Sequence, residues 1–88
     1  MDLRAARAAY LQAIKSAHAG WDAALRAAAE SLRADVGAAK LETSGSALEE
    51  RVRQAQEKYQ YAVGSALIQH TLDVREAERR LRETAKSN

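Results

Sequence analysis

The feature that most constrains this chain is the complete absence of proline from its 88 residues. Proline removes a backbone donor and clashes with the preceding helical turn, so a chain without it can remain helical over many turns. Ala, Leu, Arg, Glu, Lys and Gln, which are all strong intrinsic helix formers, together make up most of the chain. An all-β fold would need frequent turns, and four glycines without proline do not supply them. The sequence therefore predicts an all-α protein.

Turn-forming residues cluster once, at 42–46, where the sequence reads Glu-Thr-Ser-Gly-Ser. We therefore predict a helix at about 3–41, a turn at about 42–46, a second helix at about 47–85 and a frayed tail at 86–88. Together they form one antiparallel two-helix hairpin spanning residues 1–88, similar to a coiled coil.

Five residues bear on the ends and the continuity of these helices. Asp2 is expected to cap the first helix, and Ser46 with Glu49 matches the capping box that starts a helix. Gly20 and Gly64 leave open a bundle of four shorter helices. One interior glycine weakens a helix by only about 1 kcal/mol relative to alanine, which favours two long helices.

Apolar residues recur at intervals of three and four in both halves, which is the pattern of a seam between packed helices. We interpret the two seams as a and d positions of heptads. In the first helix they are Leu11, Ile14, His18, Trp21, Leu25, Ala28, Leu32, Val36 and Ala39. In the second helix they are Leu48, Val52, Ala55, Tyr59, Val63, Leu67, His70, Val74, Ala77 and Leu81.

Each helix carries a second stripe outside that seam, and the stripe on the first helix consists almost wholly of small residues. Apolar surface left without a partner marks an interaction site. We therefore predict that the hairpin self-associates through its alanine-rich face, as a homodimer forming a four-helix bundle or as a higher oligomer. Capture of a helix of another protein would cover the same surface. The predicted interface residues are Tyr10, Ala13, Ala17, Gly20, Ala24, Ala27, Tyr61, Ile68 and Leu72. The competing interpretation is that alanine serves only as helix filler.

His18 and His70 form the sharpest local pattern. If the hairpin turns between Ser44 and Gly45, residues whose numbers add to about 89 face one another, and these two add to 88. Neutral imidazoles are ligands for zinc, copper and haem iron. A metal- or haem-binding bundle using His18 and His70 is therefore the alternative function, against the simpler interpretation of two hydrogen-bonded histidines. No other cofactor is expected.

Other classes of protein find little support in the sequence. It contains no glycine-rich phosphate loop and no motif that places a histidine beside a serine, so we do not expect an enzyme. Fourteen basic and twelve acidic residues alternate along the chain, which is typical of a solvated helix surface and not of a specific nucleic-acid binder. A weaker alternative is a nucleic-acid accessory protein, whose contacts would come from Arg75, Arg79, Arg80, Arg82 and Lys86.

The sequence contains no run of 18 apolar residues, so we expect no membrane-spanning segment. The first four residues, Met-Asp-Leu-Arg, do not begin the apolar core of a signal peptide. We therefore expect a cytoplasmic protein, or one exported without a cleavable signal peptide.

Ala38-Ala39-Lys40, the turn at 43–46, Ala47-Leu48 and Tyr59-Gln60-Tyr61 resemble the needle subunits of bacterial type III secretion systems. The same two-helix outline resembles the small helical co-chaperones of those systems. It resembles less closely the secreted WXG100 hairpins, whose Trp-x-Gly lies at the turn, whereas Trp21-Asp22-Ala23 lies within the predicted first helix. The resemblance implies a non-enzymatic adaptor, chaperone or assembly subunit of a secretion or surface structure.

Overall fold

A computed structural model describes residues 2–87 and shows two α-helices, α1 (Leu3–Glu42) and α2 (Gly45–Ser87). These residues contain no β-strand, so the all-α class with two helices is confirmed. Both helices run without interruption through their interior glycines, and the alternative of four shorter helices is wrong. Residues 86 and 87 of the predicted frayed tail belong to α2, and Asn88 lies outside the described residues.

The two helices start differently. The backbone N–H of Ala5 donates to Oδ1 of Asp2 at 2.7 Å, so Asp2 caps α1 as predicted. The capping box predicted for α2 is wrong, because no hydrogen bond joins Ser46 and Glu49 within the described residues. The second helix begins ahead of that serine, and the carbonyl of Ser44 already accepts a helical hydrogen bond.

The turn depends on Thr43 and Gly45. The backbone N–H and the hydroxyl of Thr43 both donate to the carbonyl of Ala39, each at 2.9 Å, which satisfies an acceptor at the end of α1. Gly45 has a φ of +61°, the left-handed conformation that glycine adopts without steric cost. The chain therefore reverses within two residues and enters α2 earlier than the predicted position of about 47.

The packing divides the described residues into two compact units. We call residues 2–22 with 67–87 the terminal unit, and Ala23–Ala66 the turn unit. In the turn unit, Arg51 bonds Glu42 at 2.7 Å and Lys58 bonds Asp35 at 3.2 Å. From the first pair to the second, the residue number falls from 42 to 35 on α1 and rises from 51 to 58 on α2. The two segments of this unit are therefore antiparallel.

Alanine forms the whole of the buried core among the described residues. The buried side chains are Ala6, Ala17, Ala28, Ala39, Ala55 and Ala77. On α1 they recur every eleven residues, and on α2 the half-buried Ala66 lies eleven residues from each of its two buried neighbours. Eleven residues make three turns at about 3.67 residues per turn, close to the natural 3.6 of an α-helix.

This eleven-residue spacing corrects the interpretation of the seam as heptads. A strict heptad requires 3.5 residues per turn and placed Leu11 and Leu67 between the helices. Their exposed fractions are 65% and 53%, so neither side chain lies in the seam. Small side chains occupy the positions of closest approach, and larger apolar side chains such as Ile14, Leu25 and Leu32 are half-buried beside them.

Replacing a seam alanine with leucine should destabilise the fold. Ala39 is completely buried, so Ala39→Leu must push the helices apart or force a strained rotamer, at a cost of about 1–3 kcal/mol. Ala34, on the same helix and in the same unit, is exposed, and Ala34→Leu should change the free energy of unfolding by less than about 0.5 kcal/mol. Urea unfolding at one fixed protein concentration measures the free energy of unfolding of both variants. Equal stability of the two variants would contradict the alanine seam.

Candidate functional site

The terminal unit brings together the two histidines that the sequence pairs. The ring centroids of His18 and His70 lie 5.2 Å apart, and the ring planes differ by 12°, which is a stacked arrangement. The ring of Trp21 lies 6.0 Å from that of His70, tilted by 54°. Three rings therefore form one cluster between α1 and α2.

The arrangement of this cluster suits packing better than metal coordination. The lone pairs of imidazole lie in the ring plane, so two stacked and nearly parallel rings do not aim them at a common point. A zinc ligand must bring its nitrogen within about 2.0–2.1 Å of the metal. In the part of the chain that the structure describes, no group of three or more His, Asp or Glu side chains is placed to hold a metal ion. Metal or haem binding through His18 and His70 would require these rings to rotate.

The two histidines differ in their surroundings. His18 is exposed and His70 is half-buried. Nε2 of His70 is buried and forms no hydrogen bond with any of residues 2–87. The simpler interpretation, in which both histidines are hydrogen-bonded to neighbours, therefore does not hold for Nε2 of His70.

The predicted interface residues of α1 differ in how much of their surface is free. Ala17 is only 5% exposed, so its methyl group is covered within the terminal unit. The other five divide into the half-buried Tyr10, Ala13 and Ala24 and the exposed Gly20 and Ala27. Much of the small-residue stripe therefore packs inside the chain, where it allows the helices to approach closely.

The predicted interface residues of α2 are all exposed. Tyr61, in the turn unit, is 78% exposed, while Ile68 and Leu72, in the terminal unit, are 64% and 52% exposed. Leu67 is a further exposed apolar residue that sequence reasoning placed in the seam. Four of the six large apolar side chains that are exposed among residues 2–87 therefore lie within one 12-residue stretch of α2.

Two arginines on α2 are each clamped by two glutamates of the same helix. In the turn unit Arg53 bonds Glu50 three residues earlier and Glu57 four residues later, the latter at 2.5 Å. In the terminal unit Arg79 bonds Glu76 at 2.6 Å and Glu83 at 2.7 Å with the same spacing. These are intrahelical pairs of the kind that stabilise an exposed helix surface.

The ion pairs of the terminal unit lower the pKa of the Glu76 carboxyl group. Hydrogen bonds from Arg79 and then Arg80 lower the pKa of Glu76 from its ordinary 4.5 to about 2. Nε of Arg80 donates to Oε1 of Glu76 at 3.0 Å, and this oxygen also accepts a hydrogen bond from Nη2 of Arg79. Two members of the basic cluster that could contact nucleic acid are therefore already paired with carboxylates.

A groove of about 660 Å³ lies in the terminal unit where the start of α1 meets the end of α2. Its lining combines apolar residues, among them Ala6, Tyr10, Ala13, Ala77 and Leu81, with the polar Arg80, Glu83, Thr84 and Ser87. Part of the predicted small-residue stripe thus borders this groove.

No family model matches the sequence, and comparisons with curated proteins and with solved structures found no match. Among residues 2–87, neither helix has a stretch that is both long and apolar enough to cross a membrane.

Acid should weaken the fold partly through Glu76. Because its pKa is lower in the folded chain, its ion pairs stabilise the fold above about pH 4.5, and that contribution is lost as the pH falls toward about 2. The Tm of Glu76→Gln should therefore fall less than the Tm of the wild type between about pH 4.5 and about pH 2. Thermal unfolding followed by circular dichroism measures both.

The matched control is Glu78→Gln, since Glu78 lies on the same helix and forms no salt bridge with any of residues 2–87. It should keep the acid dependence of the wild type. If the two variants lost stability equally with falling pH, the Glu76 clamp would have no energetic role.

Proposed function

We propose that this chain is a non-enzymatic protein-interaction module that self-associates, first as a homodimer. The observation that carries the proposal is the composition of the core. Every buried side chain among the described residues is alanine, and none of the larger side chains is less than 2% exposed. A single chain therefore leaves most of its large apolar side chains partly in contact with water.

The energetics of so small a core favour association. Burial of the alanine methyl groups offsets only part of the entropy cost of ordering the backbone. A chain of this size has little further surface to bury by itself. Covering exposed apolar side chains with a partner adds free energy that the alanine seam does not provide.

Exposed apolar residues on α2 supply a surface for that partner. Tyr61, Ile68 and Leu72 are each more than half exposed. A second copy of the chain carries the same residues, and a two-fold dimer uses one patch on both subunits. A pair of two-helix chains joined in this way brings four helices together, with the two α2 helices in contact.

Such a module acts by holding other molecules in place, as an adaptor, a chaperone or an assembly subunit does. The resemblance to secretion-system proteins favours an assembly subunit or co-chaperone of a bacterial secretion or surface structure. The chemical character of the exposed surface, apolar residues flanked by charges, is that of a protein interface.

Sedimentation velocity over about 1–100 μM tests the proposal, a range that covers typical weak and moderate dimers. We expect a species of twice the 9.6 kDa chain mass at the upper concentrations. Ile68→Ser should shift the monomer–dimer equilibrium toward monomer, because it removes apolar surface from the patch. Leu41→Ser is the matched control, since Leu41 is 90% exposed and lies on the other helix.

A stably helical monomer at every concentration would overturn the proposal. Equal weakening of association by Ile68→Ser and Leu41→Ser would show that the chain self-associates without specific use of the α2 patch.

A further inference from the structure

We infer that His18 and His70 form an acid-sensitive contact, which holds the helices of the terminal unit together while the pair carries at most one proton and lets them separate when both rings are charged. These two residues are the only histidines of the chain, and both belong to the terminal unit. The inference concerns that unit alone and does not depend on the self-association proposed above.

The two imidazole rings contact each other directly across the terminal unit. Their centroids lie 5.2 Å apart and their planes differ by 12°, so a charge on one ring lies against the other ring. A like charge this close disfavours the charged form of its neighbour. Groups that interact so closely take up protons as a pair. The stacked pair therefore accepts a second proton less readily than its first.

The buried nitrogen of His70 decides which ring is charged last. Nε2 of His70 is buried and has no hydrogen-bond partner among residues 2–87. A protonated imidazole donates from both ring nitrogens, so charging His70 would place a charged N–H where no acceptor lies. Burying such an unpaired group is costly. His18 is exposed, and water can solvate its charge. We therefore assign the first proton to His18 and the second to His70.

The charged residues of α1 near the pair offset each other. Lys15 and Asp22 are exposed and lie about one helical turn before and after His18. Because their charges are opposite, together they neither strongly favour nor strongly oppose a proton on the pair. Trp21, the other ring of α1 beside His70 at 6.0 Å, carries no charge.

The charged residues of α2 near the pair supply no acceptor either. Asp73 and Arg75 are exposed, have opposite charges, and come three and five residues after His70. Oδ1 of Asp73 already accepts a hydrogen bond from Gln69 at 2.9 Å. Within residues 2–87, neither histidine forms a salt bridge with a carboxylate. A charged His70 therefore has no ionic partner in the part of the chain that the structure describes.

Mild acid should therefore open the terminal unit selectively. Once its helices separate, both imidazoles reach water and each can bind a proton, so the open form binds more protons than the closed form. Stability from the contact is present near neutral pH and is lost as the pH falls from about 8 to about 5, where histidine changes its charge. The turn unit contains no histidine. The acid response of Glu76 begins only below about pH 4.5, so the two effects are separable.

Substitution of each histidine tests the inference by thermal unfolding at one fixed protein concentration. The Tm of the wild type should fall by about 4–8 °C between about pH 7.5 and about pH 5.5. His70→Phe keeps a planar ring that cannot be charged, so its Tm should fall by less than about a third of the wild-type change. His18→Phe is the matched control, because it leaves the buried nitrogen of His70 in place. Its Tm should show an intermediate fall.

Two outcomes of that experiment would contradict the inference. An equal fall of Tm in the wild type and in His70→Phe would show that the pair is not the source of the acid response. A smaller fall in His18→Phe than in His70→Phe would remove the role of the buried nitrogen. Helix content from circular dichroism at about pH 7.5 identifies any variant that fails to fold.

Hydrogen exchange of the wild type locates the response along the chain. Protection factors correct for the intrinsic pH dependence of exchange, so they can be compared between the two pH values. We expect protection to fall at least about threefold at 2–22 and 67–87 and to stay within about twofold at 23–66. An equal loss of protection in both units would overturn the assignment to the terminal unit.

Proton NMR of the wild type follows the two imidazoles directly and needs no substitution. The folded chain should take up one proton at the pair, and the second should bind only as protection in the terminal unit is lost. If both rings became charged while that protection stayed unchanged, the inference would be wrong.

Discussion

Close approach of two helices at alanine is the interaction on which the rest of this structure depends. An alanine methyl leaves the backbones free to come near each other, so dispersion contacts form along the seam with little side-chain entropy lost. The same choice limits the apolar area that one chain can bury, because larger residues such as Trp21 and Leu32 remain only half-buried beside the seam. The seam that defines the hairpin therefore leaves its core small.

Much of the architecture could be predicted because it follows from local chemistry. The lack of proline predicts long helices, and the single polar cluster predicts where they turn. The cap at Asp2 and the pairing of His18 with His70 also follow from simple rules of sequence and register. The start of α2 was misplaced because the positive φ of Gly45 reverses the chain sooner than a capping-box pattern suggests.

The inward face was harder to predict because 21 of the 88 residues are alanine. Alanine occurs on every side of α1, so a pattern based on apolar residues accepts more than one seam. A heptad frame chose Leu11 and missed Ala6 and Ala17, which are buried.

An eleven-residue period is visible in the larger apolar residues of α1 and indicates the buried side of the helix. Two sets of residues share that spacing: Leu3, Ile14, Leu25 and Val36, and Tyr10, Trp21 and Leu32. The exposure of Leu67 then follows from the corrected frame.

The proposed function requires the hairpin to be energetically incomplete as a single chain. Thermal unfolding followed by circular dichroism across a hundredfold range of protein concentration tests this requirement most directly. If a second copy covers the exposed apolar residues, mass action stabilises the folded dimer, and the Tm should rise by several degrees from the lowest to the highest concentration. A Tm that is the same at every concentration, with full helix content at the lowest, would contradict it.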